Sequence, residues 1–477
     1  MSKKDSKKLN TKFEQKKCTN PKVYFDSAAT TLISKEAKQV FNSWISCFNP
    51  SSSSNFAKSA RDMIDKIKSE IKKINKCPNY SIIFTSCASE SNCFIIRSTV
   101  DAYTRKKQKI PHIITSEIEH HSIIDCVDQL LKDGKIQLTK IAPNIYGQIS
   151  ASNVEKAIKD NTALISIMYA NNELGALSNI PAIGAIAHKH NIPMHSDCVQ
   201  IYGKFRLDLP KHNIDACSVS AHKFHGPKGI GMLIINEEFI KGYELQSIIN
   251  GTQEGGLRGG SYNVPAICSM MEAIRQTFIN RDAKNKHMRS LINHMIKELT
   301  KHYNFIEYSD IMSYVNKNIK KDIDENKLIK DTGNNVQVGG GGDAGTEKED
   351  KEDILAKEFV SKKFEKDEKY KICVVGTPIT SESRIPNLVM ISIIKNPSLK
   401  EPFCNVKFKQ ALDKQGVVVS ISSACLSSSK NASHVLLSLK CPQIVLSGIL
   451  RISLSDMTDK KEVDLGIKIF CKTLEGI

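Results

Sequence analysis

In the stretch SVSAHKFHGPKGIG, residues 218–231, Lys223 stands three positions after Ser220 and directly after His222. Taken alone, the stretch reads first as a polar loop after a strand. Its residue types also suit an amine that condenses with a carbonyl compound beside groups able to hold an anion. Four other stretches carry residues of this kind. FTSCASESN (84–92) ends a β-branched run and opens a helix, where free backbone N–H groups and the positive dipole end suit phosphate. Ser86 or Ser89 there serves equally as an N-cap. PMHSDCVQ (193–200) sets Asp197 at a strand end with Gln200 three residues on, and the acid either caps a helix or pairs with a protonated ring nitrogen. EIEHHSI (117–123) supplies His120, whose imidazole can stack on a planar ligand, and YANNELG (169–175) places Asn171 and Asn172 in the same relative place.

A phosphate seat, an acid for a ring nitrogen, a flat stacking partner and an imine-forming lysine are together what pyridoxal 5'-phosphate requires of a protein. The cofactor brings the electron sink, and the chain brings orientation and charge.

These residues must be positioned by alternating strands and helices. Strands are expected at 81–86, 112–116, 164–170, 193–197, 216–221 and 229–235, with helical patterns between them. In 57–75 the apolar residues Met63, Ile64, Ile67, Ile71 and Ile74 share one helix face. Such alternation implies an α/β fold with a mostly parallel sheet flanked by helices, and ligands at the carboxyl ends of its strands. Residues 1–21 form a basic arm and 22–281 a large cofactor-binding domain. Residues 282–477 form a smaller α/β domain, interrupted at 316–371 by a charged, glycine-containing stretch whose composition predicts disorder. Further strands are expected in IPNLVMISII and GVVVSISSAC, with helices near 404–414 and 432–439.

Composition narrows the functional classes. At 477 residues with 40% apolar content, the chain can build two cores. No apolar run is long enough for a membrane span. The opening MSKKDSKKLNTKFEQKK has no apolar segment and no arginine, so a cytoplasmic location is expected. The 14 cysteines include no C-x-x-C pair and read mostly as free thiols, and no metal site is expected. The formal charge of +17 is spread along the chain without a recognition motif, so a solvated surface is expected rather than specific nucleic-acid binding.

With these blocks in order, the chain resembles the cysteine desulfurases of the NifS/IscS type, among the fold-type-I pyridoxal-phosphate enzymes of the class-V aminotransferase family. The likeness runs from VYFDSAATTLI (23–33) to ILRISLSDMTDKKEVD (449–464). It includes NPSSSSN, FTSCASES, HIITSEIEHHSI, SIMYANNELGAL, HSDCVQIYGK, SAHKFHGPKGIG and SSACLSSS. The resemblance implies that Lys223 carries the cofactor, His120 stacks on its ring, Asp197 faces its nitrogen and Gln200 its hydroxyl. Ala88, Ser89, Ser220 and His222 would seat the phosphate. Ser261, in LRGGSYN, would reach the phosphate of a second subunit, implying a homodimer. Asn172 and Arg451 would hold the carboxylate of L-cysteine, a task suited to a planar guanidinium. Cys425 would be the nucleophile that keeps the sulfur as a persulfide while alanine leaves. The sulfur would pass to an acceptor or scaffold protein in iron–sulfur cluster assembly or to tRNA thiolation.

Several positions depart from that pattern: Cys87, Cys93, Asn55, Ala221, Gly255, Ser455 and Asp456. Two other readings remain open at this point. One is another fold-type-I enzyme, a selenocysteine lyase or an aminotransferase, which would not need Cys425. The other is a catalytically weak paralogue serving as a binding scaffold.

Overall fold

The β-branched runs pair into one sheet whose direction decides where the polar residues emerge. The computed structural model describes residues 20–331, 350–399, 401, 403–421 and 433–477. Its strands are β1 (Val23–Tyr24), β2 (Tyr80–Thr85), β3 (His112–Ser116), β4 (Gln137–Ile141), β5 (Thr162–Ser166), β6 (Met194–Asp197) and β7 (Ala216–Ser220). They continue with β8 (Gly231–Asn236), β9 (Asn304–Glu307), β10 (Tyr370–Val374), β11 (Leu388–Lys395), β12 (Val417–Val418) and β13 (Ile449–Ser453).

The large sheet has the order β2-β8-β7-β6-β5-β3-β4. Strands β3 to β7 run parallel, and β8 is antiparallel to both of its neighbours, β7 and β2. Two reversals restore the direction, so β2 points the same way as β7. The carboxyl ends of β2, β3, β5, β6 and β7 therefore open at one edge, where such sheets bind ligands. Strands β3, β5 and β7 are buried throughout, as a sheet covered on both faces requires. The helix Lys58–Ile74 buries Ala60, Ile64, Ile67 and Ile71, the stripe its sequence spacing predicts. Strand β4 (QLTKI) escapes sequence reading because it is a partly exposed edge strand carrying Lys140 in place of an apolar run.

The smaller sheet has the order β13-β11-β10-β9, with β9 parallel to β10 and the other pairs antiparallel. Strand β1 pairs with β12, Val23 opposite Val417. Val23 and Phe25 pack with Ile292, Phe408 and Phe470 in the second core. The residues at the start of the expected large domain thus pack with the small sheet.

Residues 316–371, expected to be disordered, correct that expectation wherever they are described. A helix spans Tyr308–Asp331, another Lys351–Ser361, and Tyr370 and Lys371 begin β10. The reason is a stripe that average composition conceals. Ile311, Met312, Val315 and Ile319 lie at helical spacing against the core, and Ala356 and Val360 are fully buried opposite them. Residues 332–349, including the four glycines, lie outside the described residues.

Candidate active site

Five strand ends and the N-terminal segment enclose a cleft of about 370 Å³. It is lined by Ala88, Ser89, His120, Asn172, Asp197, Gln200, Ser220, His222, Lys223 and Arg451. Ten of the twelve residues singled out from the sequence therefore meet in one place. Ser261 does not line it and stands exposed on a nearby loop. Cys425 lies outside the described residues.

The anion seat comes from β2. After Thr85 the chain turns through Ser86 and Cys87 into the helix Ala88–Lys107, whose first free N–H groups face the cleft. Glu90 accepts from Ser86 N at 2.7 Å and pairs with Arg258 at 2.8 Å, bracing the turn. Burial works against the Glu90 charge, but its bonds to Arg258 and Ser86 outweigh that and hold the carboxyl below its ordinary value. Cys87, at the family's glycine position, has φ −171° and ψ 172°, extended backbone that any residue adopts. The close approach belongs instead to Gly231 on β8. A Cβ there would lie 2.8 Å from the Cys87 carbonyl carbon and 2.7 Å from Val219 O.

Lys223 follows β7 in a single 3₁₀ turn, Ala221–Lys223. Its Nζ donates to Ala28 O at 2.6 Å and Ala29 O at 2.8 Å. Burial, then the Arg451 and Lys204 charges, push the amine down to about 8, with Asp197 and Asp26 opposing. A neutral, nucleophilic amine is therefore accessible near physiological pH. His222 is pushed down to about 4 by burial and by Lys223 and Lys228, and its Nδ1 meets Thr30 Oγ1 at 3.1 Å. The Ser220 hydroxyl is buried without a partner.

Asp197 closes β6. Its Oδ2 accepts from Asn92 Nδ2 at 2.8 Å and its Oδ1 from Val199 N at 3.0 Å, which fixes the carboxylate at the cleft wall. Gln200 Nε2 donates to Ala28 O at 3.2 Å. His120 caps the helix His121–Lys132, its Nδ1 accepting from Ser122 N at 3.1 Å, so the neutral ring carries its proton on Nε2. The cleft walls and Lys223 lower its basicity, with Asp197 opposing, and the ring stays neutral and flat.

Arg451 comes from the small sheet. It pairs with Asp26 at 2.7 Å, donates to Asn172 O at 3.1 Å and Ser420 Oγ at 3.1 Å, and keeps a buried Nε without a partner. Sequence reading missed Asn92 and Asp26. Asn92 sits in the quoted block FTSCASESN and falls one helical turn after Ala88. Asp26 sits likewise in the quoted block VYFDSAATTLI, but its partner lies 425 residues away.

The donor set fits pyridoxal phosphate. An orphaned hydroxyl, a helix start, a fixed carboxylate, a neutral imidazole and a low-basicity amine all line this one cleft. No group of side chains that could hold a metal occurs among the described residues.

The class-V aminotransferase family matches this chain over residues 23–340. Among curated relatives, the cysteine desulfurase IscS of Dictyoglomus turgidum is 28% identical over 461 residues, covering 95% of each chain. That of Methanosarcina thermophila is 34% identical over 295 residues, covering 61% of this chain and 71% of its own. A solved NifS-like protein superposes with a TM-score of 0.71 at 25% identity, over 95% of this chain and all of that one.

Proposed function

The chain belongs to the class-V aminotransferase family and, within it, to the cysteine desulfurases of the NifS/IscS type, and from that premise we propose how its residues divide the release of sulfur from L-cysteine. Ala88, Ser89, Ser220 and His222 hold the phosphate of pyridoxal 5'-phosphate, His120 covers its ring, Asp197 faces the ring nitrogen and Gln200 the ring hydroxyl. The cofactor supplies the electron sink that makes the substrate Cα–H acidic. Lys223 carries the cofactor at rest, and its amine then takes the Cα proton, a role suited to a basicity near 8. Asp197, fixed in place by the Asn92 and Val199 N–H bonds, is the group placed to pair with a positive ring nitrogen. Arg451 and Asn172 hold the substrate carboxylate.

Cys425 takes the sulfur. Ser420, whose Oγ touches Arg451 at the cleft, precedes it by five positions. An extended chain of that length spans at most about 17 Å, so the thiol is tethered within reach of the substrate. The thiolate attacks the substrate sulfur, the Cβ–S bond breaks, and alanine leaves while Cys425 keeps a persulfide. That sulfur goes to an acceptor in iron–sulfur assembly or tRNA thiolation.

A homodimer completes the reading. Leu32, Ile33, Ile45, Phe48 and Phe56 are exposed apolar residues. Gln253 Nε2 bonds Ser51 Oγ at 3.3 Å, which ties this surface to the loop bearing Ser261. No helix among the described residues is long and apolar enough to cross a membrane.

The observation that carries the proposal is the meeting of the low-basicity Lys223 amine with the unpartnered Ser220 hydroxyl and Arg451 Nε in one cleft. Mass spectrometry after exposure to L-cysteine tests it. One added sulfur on the peptide containing Cys425, with alanine released, is expected. Alanine or a keto acid formed with that peptide unchanged overturns the assignment.

A further inference from the structure

The helix start that faces the cleft carries an acid. Glu90 is the third residue of the helix Ala88–Lys107, and Ala88 and Ser89 before it line the cleft. Its Oε2 accepts from Ser86 N at 2.7 Å, the backward reach of a helix-capping acid. The Glu90 side chain is only 12% exposed, so water and salt screen its charge poorly. An anion seated on the free N–H groups of this helix would share the first turn with that negative charge. Acid and anion then compete for one positive dipole end. Capping explains why an acid stands at this position, but not how a phosphate seat tolerates it.

The loop 250–261 supplies the counter-charge. Arg258 is the only lysine or arginine between Lys241 and Arg275. Its guanidinium meets Glu90 with two prongs, Nε to Oε1 at 2.8 Å and Nη2 to Oε2 at 3.3 Å, the bidentate geometry of a strong carboxylate pair. The loop is anchored four residues earlier. Glu254 is buried, with φ 52° and ψ 36°, a left-handed backbone that costs a residue with a side chain. Gly255, one of the departures from the family pattern, continues that conformation at φ 65°. The Glu254 carboxylate accepts from Phe84 N at 3.1 Å and pairs with Lys68, and its own N–H donates to Tyr262 Oη at 3.1 Å. Strand β2 is at the edge of the large sheet, so Glu254 takes an N–H that no neighbouring strand is there to accept. The turn from β2 into the helix is thus held at Phe84 before it and at Glu90 after it, by two residues of one loop.

We propose that Arg258 is a positioning residue for the cofactor's phosphate: it neutralises Glu90, so that one helix start keeps its capping acid and still receives an anion. Resting on the cofactor-binding reading above, this gives Arg258 no contact with the phosphate, and Arg258 does not line the cleft. Glu254 fixes the loop so that the guanidinium arrives where Glu90 needs it. Without Arg258 the Glu90 charge stands uncompensated in a poorly screened place, and repulsion falls on the phosphate alone. The rest of the cofactor, held by Lys223, His120 and Asp197, is untouched.

Arg258→Gln, Glu90→Gln and the double variant test the charge, because glutamine keeps an oxygen that can accept from Ser86 N. Equilibrium dialysis of the full-length, cofactor-free proteins measures affinity for two probes, pyridoxal 5'-phosphate and pyridoxal, which lacks the phosphate. Arg258→Gln should weaken binding of the phosphorylated probe about tenfold, the scale on which one charge at a partly buried helix start acts. Its affinity for pyridoxal should stay within about twofold of the parental value, a difference of a few tenths of a kcal/mol. Adding Glu90→Gln should restore most of the lost affinity, the non-additivity expected of two residues acting as a pair. Equal losses for both probes overturn the proposal, since they would mean general damage to the cleft. So does parental affinity in Arg258→Gln. A double variant as weak as Arg258→Gln alone overturns it as well, because Arg258 would then act otherwise than through Glu90. If the parental protein holds pyridoxal as tightly as pyridoxal 5'-phosphate, the phosphate seat itself fails, an outcome distinct from these.

Discussion

On the large sheet, Asp197 is the last residue of β6 and Lys223 follows β7 by three positions. On the small sheet, Arg451 is the middle residue of β13, with strand on either side. A strand-end residue is aimed by the sheet itself, because parallel neighbours in register bring their carboxyl ends to one edge. A mid-strand residue is aimed by alternation: Leu450 and Ile452 enter the small core, so Arg451 must leave by the opposite face. It reaches the cleft only because Asp26 and Ser420 wait there to pair with it. In the proposed function the large sheet takes the cofactor's chemistry, and the small sheet adds substrate recognition through Arg451, whose contacts to Asp26 and Asn172 join the two regions.

The comparison breaks first if chemistry does not reside on the large sheet. Lys223→Ala should lower sulfide release from L-cysteine by roughly 10³-fold or more, the scale on which a positioned general base acts. It should also abolish the covalent attachment that borohydride reduction traps on the residue 223 peptide. Trapping on another lysine would move the centre off β7.

The second prediction concerns the packing between the regions. His225 lies two residues after Lys223 with φ 66°, a left-handed backbone held by Thr31 Oγ1 at 2.7 Å from its N–H. Its Nδ1 meets Leu32 O at 2.8 Å and its Nε2 meets Asp456 at 2.7 Å. A carbonyl and a carboxylate only accept, so each ring nitrogen faces an acceptor. Asp456 also pairs with Lys284 at 2.9 Å. Burial works against its charge, and His225 and Lys284 outweigh it, leaving the carboxyl far below its ordinary value. A depressed folded-state value means stability present above the unfolded value of about 3.9 and lost as pH falls toward the folded one. Asp456→Ala leaves Lys284 and His225 without their shared carboxylate and should cost about 3 kcal/mol, read by urea denaturation at pH 7. The deficit should shrink below about pH 4. A deficit independent of pH would show that packing, not charge, joins the regions here. Asp456, a departure from the family pattern, thus takes a structural role that its residue type alone does not announce.

The same contrast explains what the sequence discloses. Strands β3, β6 and β7 fall within a residue or so of their expected bounds, because each is a short, fully buried run of small and β-branched residues, β6 (MHSD) excepted, whose polar residues are satisfied inside the sheet. Lys223, Asp197 and His120 stand at or just beyond the ends of these strands. The helix Tyr308–Asp331 was hidden because four apolar residues at helical spacing are diluted by charged residues, of which Lys317 and Lys320 face water. Asn92 and Asp26 were hidden for another reason. Each acts by holding a cleft residue more than a hundred positions away, and no local pattern encodes a partner at that range.

Arg451→Lys probes substrate recognition. It keeps the charge and loses the planar fork, so kcat/KM for L-cysteine should fall about 10- to 100-fold, chiefly through KM. The Lys223 linkage should survive. A fall confined to kcat would place Arg451 among the groups acting on the reaction rather than on the carboxylate. Removing the charge, as in Arg451→Gln, should raise the basicity of the Lys223 amine in the cofactor-free protein, since that cation helps depress it. The pH dependence of acylation at residue 223, followed by mass spectrometry, reads the shift directly.

The smallest effect should come from Ser220→Ala, and it should take opposite signs in two measurements. The hydroxyl closes β7 at 3% exposure with no hydrogen-bond partner in the chain. A buried polar group left unsatisfied costs stability, so its removal should leave the melting temperature of the cofactor-free protein unchanged or slightly higher. The same removal takes one donor from the phosphate seat. A hydrogen bond to a charged group contributes about 1.5 kcal/mol or somewhat more, so affinity for pyridoxal phosphate should weaken about tenfold. A lower melting temperature without cofactor would mean that Ser220 serves the sheet, and the rule that strand ends of the large sheet are kept for the ligand would lose its clearest instance.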